Sequence, residues 1–275
     1  MTQTVFFAVL AAALLHAIWN AMVRGRGRLD PMVSMVALSG GMGVISAVML
    51  AVYGLPPQAS WIWALASGTI HIGYYWLLLS SYRHGGLGEA YPLARGSAPL
   101  YLLIVATLSE SVISPTQWGG AMLLIVGLIA MRPLSASTWT MRRYALGTGL
   151  MIACYSYVDM RGVRLSDSAI AYKSLGSLFA ALLFAMSLLP FKVMPWRQLG
   201  QAKLVWTVGA GVAFMAYFLA VWAMQSTPVA LVSALRETSI VFAVVIGGLF
   251  LRENVGLRQL ICAVIAVSGV VLIRV

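Results

Sequence analysis

Apolar runs close to 20 residues long follow one another along the whole chain, separated by short loops rich in polar residues, Gly and Pro. Crossing about 30 Å of hydrocarbon takes about 20 apolar residues at a helical rise of about 1.5 Å each. Ten runs meet that length, roughly 4–23, 32–53, 60–82, 88–107, 115–132, 142–162, 168–190, 201–224, 229–250 and 255–274. They are continuous rather than alternating, which predicts helices and not barrel strands. The expected fold class is all-α integral membrane, with ten transmembrane helices and almost no chain left for a soluble domain. A composition of 61% hydrophobic and 9% charged residues over 275 positions excludes an ordinary soluble domain of this size. The opening "MTQT" supplies no basic n-region, so the first run is read as an anchor and not a cleaved signal peptide.

A formal charge of +11 would point to nucleic acid in a soluble protein, but here its placement reports topology. Of the 18 Lys and Arg, three (Arg95, Lys173 and Arg236) lie within spans. Twelve of the others lie in loops on one side: Arg24, Arg26, Arg28, Arg83, Arg132, Arg142, Arg143, Lys192, Arg197, Lys203, Arg252 and Arg258. Only Arg161, Arg164 and Arg274 lie on the other. By the positive-inside rule the richer side is cytoplasmic, which puts both termini outside a cytoplasmic (inner) membrane. The expected partners are the lipid bilayer and a small-molecule substrate, with no nucleic acid and with the chain a monomer or weak homodimer.

Enzymatic chemistry has little support. Cys154 and Cys262 form no metal spacing, and His16, His71 and His84 form no HExxH-type pair. No GxSxG elbow, Walker loop or dinucleotide fingerprint occurs. No catalytic residue, metal or cofactor is expected. A membrane-embedded enzyme on a lipid-linked substrate should show a nucleophile beside a base, and a sensor or scaffold should carry a soluble output segment; neither feature is visible.

The two halves resemble each other. "RGSAPLY" from Arg95 aligns with "RETSIVF" from Arg236, pairing Ser97 with Thr238 and Tyr101 with Phe242. Gln117, Ala121, Gly127 and Arg132 match Gln259, Ala263, Gly269 and Arg274, while His16 and Asn20 take the places of Tyr155 and Asp159. Residues 1–135 and 140–275 are therefore expected to be two five-helix repeats. An odd number of spans sends the second repeat into the membrane from the opposite face, so the repeats should be inverted. Secondary transporters built in this way bind substrate near the midplane, between the halves.

Inside the fourth run, "EAYPLARGSAPLY" (Glu89 to Tyr101) places a charge between two prolines. A charge near the bilayer centre costs about 2.5–3.5 kcal/mol on the insertion scale, so Arg95 should face a cavity or a partner. Pro92 and Pro99 each lack a backbone donor, so a bend or break is expected there, with a gating or hinge role. Arg95 and Arg236 each lie about seven residues into their spans from opposite faces, and both approach the midplane. Glu89, Asp159 and Glu237 are candidate partners, and a structural salt-bridge network is the plain alternative to substrate binding. Glu89, Asp159 and Lys173 lie nearer span ends, where snorkelling to the interface is open to them.

Polar residues also recur at helical spacing. His16 and Asn20, Tyr155 and Asp159, and His71 and Tyr75 are each four residues apart, so each pair shares a face. These faces should point inward as three walls of one cavity. Trp19, Tyr75 and Trp76 serve equally well as interfacial or packing residues. "SGGMG" at 39–43 and Gly247-Gly248 are expected at close helix contacts.

"HAIWNA", "YPLARGSAP", "ACYSYVDMRGVR" and "VSALRETS" together resemble the drug/metabolite transporter superfamily, specifically its EamA-like ten-helix members. The resemblance covers nearly the whole chain. It implies a central cavity lined by the first, third, fourth, sixth, eighth and ninth helices, onto which His16, Asn20, Tyr91, Arg95, Tyr155, Asp159 and Arg236 map. Trp19, His71, Tyr75 and Glu237 complete the candidate substrate-binding set. The expected function is secondary active transport of a small polar metabolite, anionic or zwitterionic and amino-acid-like, by alternating access. A guanidinium fork suits carboxylate or phosphate. The competing reading is proton-coupled efflux of hydrophobic cations through Asp159 or Glu237. Arg95, in the proline-flanked segment beside Tyr91, is expected to be the main ligand contact. Arg236, followed by Glu237 in a proline-free helix, is expected to be more a structural or gating partner.

Overall fold

The computed structural model describes residues 1–24, 30–84, 87–108, 113–130, 138–191, 199–250 and 256–274. Every regular element among them is helical. The helices are α1 (Gln3–Arg24), α2 (Pro31–Tyr53), α3 (Trp61–His84), α4 (Leu87–Leu108), α5 (Pro115–Ala130), α6 (Trp139–Arg164), α7 (Ala169–Leu188), α8 (Ala210–Ala223), α9 (Val229–Arg236), α10 (Ser239–Phe250) and α11 (Leu257–Arg274). Each of the ten expected spans corresponds to helix, the ninth being divided between α9 and α10. Among the described residues, six helical stretches are long and apolar enough to cross a membrane, with shorter apolar helices beside them. The protein is a multi-pass membrane protein.

Local chemistry fixes several ends. The Asp30 carboxylate accepts from the Met32 amide at 2.7 Å, with Pro31 at the first helical position, and Gly54 ends α2 at φ 76°. An N-terminal acceptor and a left-handed glycine are the usual start and stop of a helix. Thr138 and Ser168 cap α6 and α7 in the same way, accepting from Met141 and Ala171. The eighth span enters α8 through a π-helical turn, Val205–Gly209.

The packing is reciprocal. α3 lies on α6 and α1 on α8; α4 lies on α6, while α1 also meets α9 and α10; α2 faces α7, and α5 faces α11. Small residues permit the closest approaches. A methyl group on Gly120 would come 2.7 Å from the Gly269 carbonyl oxygen, and one on Gly269 would come 2.5 Å from that of Gly120. Gly41 abuts the Trp206 backbone and Gly43 the Ala181 side chain, as expected for "SGGMG", although Gly40 faces open space. The surroundings of Gly247 and Gly248 lie outside the described residues. Val44, Val48 and Val52 on α2 and Val264, Val267 and Val271 on α11 are exposed, while Arg95, Asp159, Lys173, Arg236 and Glu237 are buried. Outward apolar and inward ionisable side chains are the arrangement hydrocarbon requires.

One expectation fails in detail. α4 runs from Leu87 to Leu108 as one α-helix, so of the bend or break expected at Pro92 and Pro99 there is no break. The interruption falls instead in the proline-free ninth span, at Glu237 and Thr238. There the ladder tightens: the Glu237 and Thr238 amides donate to Ala234 and Leu235, and Ile240 donates to Glu237, each three residues back. The Thr238 hydroxyl also donates to the Leu235 carbonyl at 2.7 Å. The backbone groups at the break are thus bonded locally, which is what permits it at depth in a membrane.

Candidate functional site

The break in the ninth span carries the principal polar contact. Arg95 Nε donates to Glu237 Oε2 at 3.0 Å, and Arg95 Nη2 lies 2.9 Å from Glu237 Oε1. This is a buried guanidinium–carboxylate ion pair with a charge-assisted hydrogen bond through Nε and a second close contact through Nη2. It joins α4 of the first half to the α9–α10 turn of the second. Glu237, one of the candidate partners, therefore pairs with Arg95 across the interface while its charge also acts on its chain neighbour Arg236. Adjacent helical residues point about 100° apart, so the two side chains diverge.

Arg236 turns to an aromatic ring, its guanidinium carbon 4.9 Å from the Tyr217 ring centroid. Lys173 Nζ is also 4.9 Å from that centroid and 5.2 Å from that of Phe214. Cation–π attraction contributes about 0.5–2 kcal/mol, more where water is excluded. Lys173 also donates to the Ser177 hydroxyl. With 5% of its surface exposed, Lys173 is turned into the protein and does not snorkel to the interface.

Asp159 on α6 is buried as well, and two phenols satisfy its carboxylate. The Tyr172 hydroxyl donates to Oδ1 at 3.0 Å and the Tyr217 hydroxyl donates to Oδ2. Tyr217 thus touches the acid through its hydroxyl and both cations through its ring. His71 stacks on Tyr155 at 4.1 Å with 22° between planes, and its Nδ1 is 2.8 Å from the Ser67 carbonyl oxygen. Tyr75 packs on Phe184 at 4.6 Å. Ser39, His71, Tyr75, Asp159, Lys173 and Tyr217 enclose a cavity of ≈ 30 Å³. That is room for one or two waters, each needing about 10–15 Å³ on this measure.

On α1, His16 lies within electrostatic range of Arg95 and Arg236. The Trp19 indole donates to His16 Nδ1 at 3.2 Å, and the Asn20 amide donates to the His16 carbonyl at 2.7 Å. Trp19 packs against the cluster formed by α2 and the start of the eighth span. The side chains of Glu89, Tyr91 and Pro92 lie outside the described residues, whereas Pro99 is buried in α4.

The structure brings Arg95, Arg236, Glu237, Tyr155, Asp159, His71 and Tyr75 to the interface between halves, and adds Tyr172, Lys173 and Tyr217. Tyr217 carried a usable signal: a phenol in an apolar span needs a hydrogen-bond partner. Tyr172 carried the same signal but was masked by its position beside Lys173. Among the described residues the lining of this small cavity comes from α2, α3, α6, α7 and α8.

The EamA-like transporter family model matches residues 143–275, so that part of the chain is similar to EamA-like transporters. A solved structure titled only "Crystal structure of protein" is similar over 99% of this chain and 96% of its own, with a TM-score of 0.77 and 17% identity. At that identity the likeness is one of fold. No curated protein matches the chain.

Proposed function

We propose that the protein is a secondary active transporter that moves a small anionic or zwitterionic, amino-acid-like metabolite across the cytoplasmic membrane by alternating access. The observation that carries this reading is the buried ion pair between Arg95 and Glu237. A fork held by an internal carboxylate is one that a substrate carboxylate can take over, and the exchange would release α4 from the α9–α10 turn. Substrate binding and movement of the halves would then be one event. With Glu237 on the Arg95 guanidinium, we take this conformation as the closed state.

Residues 1–135 and 140–275 act in this reading as inverted repeats, an arrangement supported by the reciprocal packing. Pro92 and Pro99 are where α4 gives way in the other state, each having removed a ladder donor in advance. The chain works as a monomer or weak homodimer with both termini outside. Cysteines introduced between Arg24 and Arg28 should accordingly be labelled only from the cytoplasmic side, and labelling from outside would overturn that orientation.

Efflux of hydrophobic cations stays in view because Asp159 sits among Tyr155, Tyr172, Tyr217 and His71, an aromatic wall around an acid. A thermal-shift screen of purified protein separates the two, since a ligand at about 100 times its Kd stabilises by about 2.7 kcal/mol. Stabilisation by carboxylate-bearing metabolites, lost in Arg95→Gln, is expected. Stabilisation by hydrophobic cations alone, lost in Asp159→Asn, would overturn the proposal.

A further inference from the structure

A second cavity, ≈ 530 Å³, opens where α4 and α6 end and α9 begins. Its apolar wall includes Leu102, Ala106 and Met160, and its cations are Arg161 and Arg164. Leu102 lies seven residues beyond Arg95, and Val229, also in the wall, lies seven before Arg236. Seven residues are nearly two turns, so on both helices the wall shares a face with the buried arginine, about 10 Å away along the axis.

Topology does not account for these arginines. Twelve loop cations lie on one side of the membrane and three on the other, and two of those three line this one cavity. Arg164 has a structural task, since Nε and Nη2 donate to the Met224 and Thr227 carbonyls at 3.1 and 3.3 Å and hold the α8–α9 connection. Among the described residues Arg161 makes no such hydrogen bond to the backbone. Its guanidinium lies 5.6 Å from the Trp63 ring centroid, and among the described residues no carboxylate pairs with either arginine. The volume lies within the about 300–1,000 Å³ of small-molecule pockets.

We propose that this cavity is a mouth subsite that takes the anionic end of a free organic acid with a small apolar body, on its way to or from the Arg95–Glu237 site. Arg161 supplies the fork, and Leu102, Ala106 and Met160 take up the apolar part. The subsite deepens the transport reading given above, and its test does not depend on transport. Ser226 lies on the cavity wall and is exposed. Ser226→Cys in phosphatidylcholine vesicles would be labelled with a neutral thiol reagent, taking labelling above that of the unsubstituted chain, with octanoate or octylamine as competitor. Octanoate should protect and octylamine should not. Arg161→Gln should raise the octanoate concentration for half-protection on the order of tenfold, as loss of a charge-assisted hydrogen bond implies, and Arg161→Lys should restore part of it. Protection should persist in Arg95→Gln even where transport is lost, which separates this site from the central one. Absence of octanoate protection, or protection unchanged in Arg161→Gln, would overturn the proposal. So would protection that appears only when phosphatidylglycerol is added, because the occupant would then be a lipid headgroup.

Discussion

α4 and the α9–α10 segment occupy matching places in the two halves, Leu87–Leu108 and Val229–Phe250, displaced by 142 residues at both ends. The first contains two prolines and is one continuous helix; the second contains none and is interrupted at Glu237 and Thr238. A missing donor at proline leaves single gaps in an otherwise intact ladder, which a packed helix can carry. An interruption needs a run of residues with other bonds to make. Thr238 supplies one through its hydroxyl, and the Glu237 carboxylate is held by Arg95 from the other half. The difference teaches that the break follows the polar contact between halves more closely than it follows the helix breakers.

The sharpest way to break this contrast is to remove the carboxylate. Glu237→Gln leaves the Arg95 guanidinium buried without its counter-charge, and losing one partner of a buried pair costs about 3–5 kcal/mol. We expect a large fall in thermal stability and loss of transport. Replacing both Arg95 and Glu237 by Met should recover much of the stability and none of the transport. Recovery of neither would mean that the pair has no special place in the fold.

Next in size is the proline pair. Alanine is favoured over proline by about 3 kcal/mol in a helix interior, so Pro92→Ala with Pro99→Ala should hold α4 in its continuous form. Flux in proteoliposomes should slow while equilibrium binding of the ligand found by thermal shift stays within error. Unchanged flux would remove α4 from the gate and leave the Glu237–Thr238 turn as the moving part.

The helices and the ionisable groups were legible because hydrocarbon imposes both a length and an interior on them. Arg95 and Arg236 stood out as charges inside apolar runs, and both are buried. Pairing was legible only as a short set of candidates. Arg236 and Glu237 are neighbours in the chain, yet the carboxylate crosses to Arg95, because partner choice depends on how the halves dock and not on local spacing. Lys173 looked free to snorkel from its position near a span end, and the inward rings of Phe214 and Tyr217 were invisible to that estimate. The turn at Glu237 carries no Gly or Pro, and so offered nothing to read.

Arginine-to-lysine exchange compares the two halves at constant charge. Arg95→Lys keeps the charge and loses the planar guanidinium fork, which should weaken binding of a carboxylate ligand by about 1–3 kcal/mol. Arg236→Lys keeps a cation over Tyr217 and should change affinity by less, with its larger effect on rate. Affinity and flux measured for both variants decide the matter, and equal affinity losses would make the arginines equivalent after all.

The smallest expected effect has the opposite sign in binding and in stability. Thr238→Ala removes the hydroxyl that donates to the Leu235 carbonyl, a contribution of about 0.5–1.5 kcal/mol to the closed state. The turn that hydroxyl supports holds Glu237 on Arg95. With the turn loosened, an incoming carboxylate displaces Glu237 against less resistance, so Thr238→Ala should lower thermal stability while tightening ligand binding by up to about tenfold, the equivalent of about 1.4 kcal/mol. Thr238→Ser keeps the hydroxyl and should leave both quantities near those of the unsubstituted protein. Binding that weakens together with stability would show that the turn shapes the ligand site directly, and that Glu237 is no competitor for the Arg95 fork.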